Sequence, residues 1–339
     1  MSKPTISVSI PTYNRPTFLE QAIRSCLAQT YQDFEIVVSD NSTNNETESV
    51  VRRIRSPKLR YFRNPGNLGG FKNLALSVER SQGRFIKLLM DDDLMKPRSL
   101  ERSAAILESQ PRVGVVMSPL DIVDETGRAV TPRFYLIKRM RLLYAYRKTD
   151  GCVPGREILR DFLTRIYPCC VPSGLLYRRE CFERLGSFDL SADFACDVEL
   201  CMRFATKYDF YYIAEPLNSW RFNAQSDTVQ IHKRGLNNSV FYSLACQYLA
   251  RPDVQELFTA AELPNLIRRS YYFASKRCML SVIAGMRSGN RKVIRDTMRT
   301  VHQSDPYLRN KLALPFGLLG ECFSAVRSWL PQHVESPGR

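Results

Sequence analysis

The first 120 residues predict an α/β fold built on a doubly wound, mostly parallel sheet with helices on both faces. Three observations carry this. Short runs rich in β-branched and aromatic residues recur, apolar residues between them recur at helical spacing, and each run ends in a polar, turn-rich tip.

The elements follow in order. ISVSI (6–10) reads as a first strand, and PTFLEQAIRSCLAQT after it as a helix opened by Pro16, whose fixed φ suits a first helical turn. FEIVVS (34–39) is a second strand and TNNETESVVRRIRS a helix with Asn and Thr cap candidates. LRYF (59–62), the helical GGFKNLALSVERS and the strand FIKLLM (85–90) complete a βαβαβαβ series, which implies parallel strands joined by right-handed crossovers. VVMSPLDIVDETG (115–127) reads as strand then turn. RFYLIKRMRLLYAYRK (133–148) carries six basic residues and no acid; it suits either an ordinary surface helix or a segment meeting an anionic, partly apolar partner. Residues 173–213 read as strand, short helix, a turn at Gly186, acidic loop, helix and strand, and the pattern is helical from Arg234 onward. A boundary near Ile231 to Gly235 gives 1–232, with halves 1–120 and 121–232, and a helical C-terminal region 233–339.

Composition narrows the classes of function. With 44% hydrophobic and 24% charged residues among 339, and no repeat, the chain is a folded protein able to bury a sizeable core. Its net charge of +15 attracts anions, whether nucleic acid, an anionic membrane surface or phosphorylated substrates. No finger spacing, arginine-rich repeat or RNP-type strand accompanies that charge, which argues against nucleic acid. Ten cysteines scattered from Cys26 to Cys322 lack the spacing of a disulfide framework or zinc site, so a reduced, cytoplasmic protein is expected. MSKPTISVSIP enters a strand at once, without the apolar stretch of a secretory leader, and the late run LALPFGLLG is too short to span a bilayer.

In parallel sheets ligands bind beyond the carboxyl ends of the strands. Those positions hold PTYN (11–14), DNS (40–42), RNPGNLGG (63–70) and DDD (91–93). Three adjacent carboxylates ending a buried strand repel one another and lose hydration, so the triplet needs a counterion. Oxygen ligands of this kind suit a hard divalent cation, Mg2+ or Mn2+, which retains waters and substrate phosphates; solvated loop acids are the plain alternative. The chain has no GxxxxGK[ST] loop, and GNLGG departs from GxGxxG, which disfavours a nicotinamide site.

These residues, taken together, resemble a known family. SVSIPTYNRPTFLEQAIRSCLAQTYQDFEIVVSDNST, NLGGFKN, DDD, SGLLYRRECFERLGSFD with its acidic loop, and WRFN stand in the order seen in glycosyltransferase family 2, the inverting nucleotide-sugar transferases of GT-A fold. The resemblance covers about two thirds of the chain. It implies that Thr12, Tyr13 and Asn14 line the nucleotide pocket, with Tyr13 suited to stack on a base, and that Asp40 accepts hydrogen bonds from base or ribose. Many relatives carry a second acid where this chain has Asn41. Asn67, Gly69 and Asn73 are implied along the nucleotide cleft, with Lys72 a candidate for phosphate. Asp91 and Asp93 are implied as the metal ligands, with Asp91 and Asp92 also reaching the donor; Asp92 and its neighbours are interchangeable in an all-aspartate run.

The family's base, the aspartate of an acidic pair after G-x-F-D, falls on Asp197, preceded here by Cys196 instead of an acid. Asp193 and Glu199 are fallbacks, a helix-capping role for Asp197 competes, and Cys196 as nucleophile lacks a nearby histidine. Arg221 is implied to face the diphosphate, Arg203 to hold the acidic loop, and His232 to sit where some relatives add a metal ligand. The implied partners are a nucleotide-sugar donor, a saccharide or lipid-linked saccharide acceptor and an anionic membrane surface, in bacterial surface-polysaccharide (O-antigen or capsule) synthesis at the cytoplasmic face of the inner membrane. A non-catalytic scaffold or membrane-surface binder is one alternative. A sugar-nucleotide pyrophosphorylase is another, although the glycine-rich basic loop expected of one is absent between Ser7 and Arg15.

Overall fold

The computed structural model describes residues 3–130, 146–164, 171–222 and 239–304, apart from the side chains of 193, 239 and 302–304. The basic segment 131–145, His232 and the late apolar run at 312–320 therefore lie outside the described residues. The chain divides into one unit of 1–230 with 252–266 and a second of 231–251 with 267–339.

In the first unit β1 (Ile6–Thr12), α1 (Pro16–Leu27), β2 (Phe34–Asp40), α2 (Glu46–Ile54), β3 (Leu59–Arg63), α3 (Gly70–Glu79) and β4 (Phe85–Leu88) alternate as the periodicity predicts. Every residue of β1, β2 and β4 is buried, the condition under which a parallel strand becomes a continuous apolar run. Leu19, Ala22, Ile23 and Cys26 of α1, residues spaced three and four apart, join the buried apolar cluster that contains the β1 and β2 side chains.

After β4 come β5 (Leu94–Met95), α4 (Ser99–Ser109), β6 (Val113–Met117), β7 (Leu120–Val123), β8 (Gly151–Val153), α5 (Gly155–Thr164), β9 (Leu175–Arg178), α6 (Arg179–Leu185), α7 (Cys196–Ala205), β10 (Asp209–Tyr212) and β11 (Asn218–Arg221). The large sheet has the order β3-β2-β1-β4-β9-β6-β10-β8. The pairs β1-β2, β2-β3, β1-β4 and β6-β10 are parallel, whereas β9 runs antiparallel to both neighbours and β8 antiparallel to β10. A mostly parallel α/β sheet is thus what the first half of the chain predicts.

One expected strand is in fact two. VVMSPLDIV breaks at Pro119, which has no N–H for a ladder, so β6 joins the large sheet and β7 joins a second one, β5-β11-β7. This small sheet positions the acid triplet. β5 starts directly after Asp93, and its antiparallel pairing with β11, Ser219 opposite Leu94, delivers Arg221 to the carboxylates.

The second unit contains α8 (Ser239–Leu249), most of α10 (Leu263–Ser288) and α11 (Arg291–Ser304); the short α9 (Pro252–Gln255) belongs to the first. Gly289, at φ 68, ends α10 in the left-handed conformation that glycine adopts without steric cost. Among the described residues, no helix is long and apolar enough to cross a membrane.

Candidate active site

β1 lies between β2 and β4, and its last residue, Thr12, stands opposite Asp40 at the end of β2. The tips of three strands therefore open at one edge of the sheet. Thr12 is buried and its hydroxyl donates to Asp91 Oδ2 at 2.7 Å. All three aspartates are buried, Asp91 at 5%, Asp92 at 8% and Asp93 at 0% exposure, so their charges depend on neighbours and not on water.

Three cations answer them. Arg15 Nη1 bridges Asp91 Oδ1 and Asp92 Oδ2, 3.2 Å from each. Arg221 donates its backbone N–H to Asp93 Oδ1 at 2.9 Å and its Nε to the Asp92 carbonyl at 2.7 Å. Lys87, two per cent exposed inside β4, donates its Nζ to the Ser173 carbonyl at 2.6 Å. Burial pulls the Lys87 amine down to about 7, opposed by the charges of Cys26 and Asp93. Burial, reinforced by the adjacent Asp92, pushes Asp91 up to about 7, with Arg15 and the Thr12 hydroxyl pulling the other way. Asp92 is likewise raised to about 7 by burial and then by Asp93, and Asp93 to about 6 by burial against the favourable Ser173 hydroxyl and Arg221 N–H.

Around the triplet the other tips interlock. Asn14 sits in the left-handed region at φ 51, receives Ser42 Oγ as acceptor for its N–H and exchanges hydrogen bonds with Thr43, which ties the β1 tip to the β2 tip. Tyr13, beside Asn14, is 43% exposed. Asn67 accepts the Gly69 N–H and an Asn41 amide N–H; Gly69 has φ 86 and open space around it, so backbone conformation, not crowding, calls for glycine there. Lys72 is exposed at the start of α3.

Three expected contact residues turn inward instead. Asp40 is fully buried, its Oδ1 accepting the Ser42 N–H and its Oδ2 the Tyr61 hydroxyl, both at 2.7 Å, so its carboxylate shapes the β2 tip. Asn73 is buried among Ser39, Asn64 and the Thr12 and Ser39 carbonyls, and so pins three tips together. Arg221, expected to face a diphosphate, is 0% exposed; Nη1 donates to the Asp124 and Glu125 carbonyls, Nη2 to Gln21 Oε1, and the guanidinium lies over the Phe18 ring. The pairing of β11 with β5 encloses it, which makes it the floor of the triplet.

Asp197 lies in the first turn of α7, behind Ala195 as cap residue. No side chain caps this helix; Asp197 Oδ1 accepts the adjacent Val198 N–H at 2.8 Å. Its surroundings push the carboxyl up to about 6, chiefly by burial, against the Val198 N–H, while some of its surface stays open to solvent. Cys196 beside it is buried, with its thiol held in the neutral form by desolvation. Glu199 is committed to Arg203, whose guanidinium also donates to the Leu185, Gly186 and Ser187 carbonyls and so anchors the turn ahead of the acidic loop.

Reading along the chain does not reveal Arg15 and Lys87. The available signals were an arginine joined to the tip in PTYNRP and a lysine within an otherwise apolar strand.

Among the described residues no group of three or more Asp, Glu, His or Cys side chains is arranged as a complete cation site. The donor chemistry nevertheless fits one completed by a substrate. Asp91 presents an oxygen whose partner is a side-chain cation, and Asp93 Oδ2 is buried with no hydrogen-bond partner among the described residues.

The fold thus sets an acid triplet just after the fourth strand of a mostly parallel sheet and an aspartate in the first turn of a later helix. Residues 7–186 match the family model described as Glycosyl transferase family 2, and the chain belongs to that family. An uncharacterized glycosyltransferase of Rickettsia felis is 24% identical over 266 residues, covering 78% of this chain and 41% of that protein. Another, of Methanocaldococcus jannaschii, is 30% identical over 148 residues, 42% of this chain and 51% of that one. The chain thus matches about half or less of the length of these two relatives. Among solved structures, S. aureus TarS 1–349 in complex with UDP-GlcNAc superposes with a TM-score of 0.61 at 16% identity, covering 88% of this chain and 81% of that one, which establishes a shared fold.

Proposed function

We propose that the protein is an inverting glycosyltransferase that moves a hexosyl or deoxyhexosyl group from a nucleotide diphosphate to a hydroxyl of a saccharide or lipid-linked saccharide. The observation that carries this reading is the buried carboxylate triplet, paired with Arg15 and Arg221 at the strand tips of a family 2 chain. The solvent-facing ring of Tyr13 stacks on the base, Thr12 and Asn14 set the tip, and Asn67 and Gly69 form the opposite wall. Asp91 and Asp93 would hold Mg2+ or Mn2+, with Asp92 toward the donor. When bound, such an ion neutralises charge on the departing diphosphate.

Asp197 serves as base. It takes the proton of the acceptor hydroxyl as that oxygen bonds to the anomeric carbon, while the bond to the diphosphate breaks on the opposite face and its electron pair leaves with the phosphate oxygen. A carboxyl near 6 supports this role: it is ionised at neutral pH yet more basic than an ordinary aspartate.

The acceptor side rests on resemblance and charge. Residues 239–251 and 267–304 carry ten Lys and Arg against the single acid Asp296, which favours peripheral contact with an anionic membrane and hence surface-polysaccharide assembly at the cytoplasmic face. Turnover across a panel of nucleotide sugars, with Mn2+ or with EDTA, tests the proposal. One donor should be consumed only with the metal; binding across the panel with neither hydrolysis nor transfer would leave a scaffold.

A further inference from the structure

α10 has two unlike sides. Ser270, Tyr271, Ala274, Cys278 and Ser281 are buried, and a Cβ at Gly285 would stand 2.8 Å from Ile294 Cγ1 of α11, so this side is packed. The other side faces solvent. At 3.6 residues per turn, positions 269, 272, 276, 280, 283 and 287 fall within about 80° of the circumference and run for about 27 Å along the axis. They read Arg, Tyr, Lys, Leu, Ile, Arg. All but the half-buried Ile283 are exposed, and Tyr272 at 50% and Leu280 at 41% are among the most exposed large apolar side chains of the described residues. α10 carries no acid, so no carboxylate one turn away along the helix neutralises these cations.

The mixture selects its partner. A second copy laid antiparallel on this face would set Arg269 against Arg287, and one laid parallel would set each cation against its own copy, so like charges oppose both. A phosphodiester backbone would answer the three cations and leave Tyr272, Leu280 and Ile283 in water. A bilayer with anionic headgroups answers both kinds of residue. The long stems of Lys and Arg reach its phosphates while the apolar side chains between them enter the boundary of headgroups and acyl chains, ~5–10 Å deep. α11 supplies the contrast: Arg291, Arg295 and Arg299 are exposed at one-turn spacing, with no exposed apolar side chain among its described residues. It offers charge with nothing to insert.

We infer that the solvent face of α10 docks onto an anionic bilayer with the helix axis in the plane of the interface, Tyr272 and Leu280 entering the boundary and Arg269, Lys276 and Arg287 on headgroup phosphates. This rests on the membrane reading above and deepens it, naming the element, its orientation and the side chains that insert. Charge spread over the whole unit predicts none of the three.

The test is co-sedimentation of the full chain with mixed phosphatidylglycerol and phosphatidylcholine vesicles. Wild type is compared with an apolar variant, Tyr272→Ser with Leu280→Ser, and an α11 variant, Arg295→Gln with Arg299→Gln. Both apolar sites are exposed, so melting should be unchanged, yet vesicle affinity should fall about tenfold or more although no charge is removed. The α11 variant should bind more weakly through its lost charges and keep the insertion. Insertion is read separately in Leu280→Trp, whose added emission should shift to the blue on the vesicles and be quenched by brominated lipid, with or without the α11 changes. Unchanged vesicle affinity in the apolar variant, or added emission that neither shifts nor quenches, would overturn the inference while the membrane reading stands on wild-type binding. Loss of a dimer in gel filtration, or an equal loss of affinity for duplex DNA, in the apolar variant would overturn it as well and assign the face to a second copy or to nucleic acid. Wild type that does not sediment with the vesicles would remove the membrane reading itself, and the inference with it.

Discussion

Replacing Asp197 by Asn should make the protein more stable and inactive at once. The carboxyl is raised from 3.8 to about 6, chiefly by burial, so the ionised form is disfavoured in the fold. A shift of that size, at about 1.4 kcal/mol per pH unit, corresponds to ~3 kcal/mol, discounted to about 1–2 kcal/mol because the group is partly open to solvent. The sign follows from proton linkage. A folded-state pKa above the unfolded one means that the folded protein binds the extra proton, so the destabilisation is absent below about pH 4, grows through pH 6 and is complete above it. Asparagine keeps an oxygen for the Val198 N–H and lacks the charge.

Thermal melts of wild type and Asp197→Asn at pH 4.5 and 8 should therefore lie closer together at the acid end and differ fully at pH 8, with the variant higher there by roughly 2–6 °C. In the donor assay the variant should lose transfer with little change in nucleotide affinity, and wild-type transfer should fall about tenfold per unit below pH 6. Equal melting points at pH 8, or retained transfer, would refute the assignment of Asp197.

Other consequences concern the frame and the partner. Arg221→Met strips donors from three carbonyls and a cation from the triplet, so it should cost about 3–5 kcal/mol and appear as a large fall in melting temperature; a change below ~1 kcal/mol would contradict its role as floor of the site. Asn73→Ala leaves buried Ser39, Asn64 and two carbonyls short of partners and should cost roughly 2–3 kcal/mol by chemical denaturation, with nucleotide affinity falling as the tips loosen. For the membrane reading, reversing the exposed Arg269, Lys276 and Arg287 of α10 should reduce sedimentation with phosphatidylglycerol vesicles by tenfold or more at about 1 kcal/mol per charge, and equal binding to neutral vesicles would contradict it.

What the chain discloses on reading is what is written locally. β1 to β4 and their helices follow from short β-branched and aromatic runs alternating with apolar residues at a period of 3.6, and the triplet follows from three acids placed where an apolar strand stops. Properties decided by long-range pairing are not legible. The antiparallel insertion of β9 joins residues about ninety positions apart on its β4 side and about sixty apart on its β6 side, and β5, two residues long, has no periodicity to detect. The same cause explains the inward turn of Arg221 and Asp40. Their residue types suit a ligand, but β11 pairing with β5 and Tyr61 rising from β3 consume their polar atoms. Arg15 shows the reverse case, a residue adjoining a recognisable motif whose partners lie seventy-six and seventy-seven positions away.

The most direct measurement is anomalous scattering from a crystal grown with Mn2+ and a nucleoside diphosphate. A peak within coordination distance of Asp91 and Asp93, bridging to the phosphates, is the expected result, with the base on Tyr13. Nucleotide bound elsewhere, or bound at this edge of the sheet with no metal peak against the aspartates, would contradict the account.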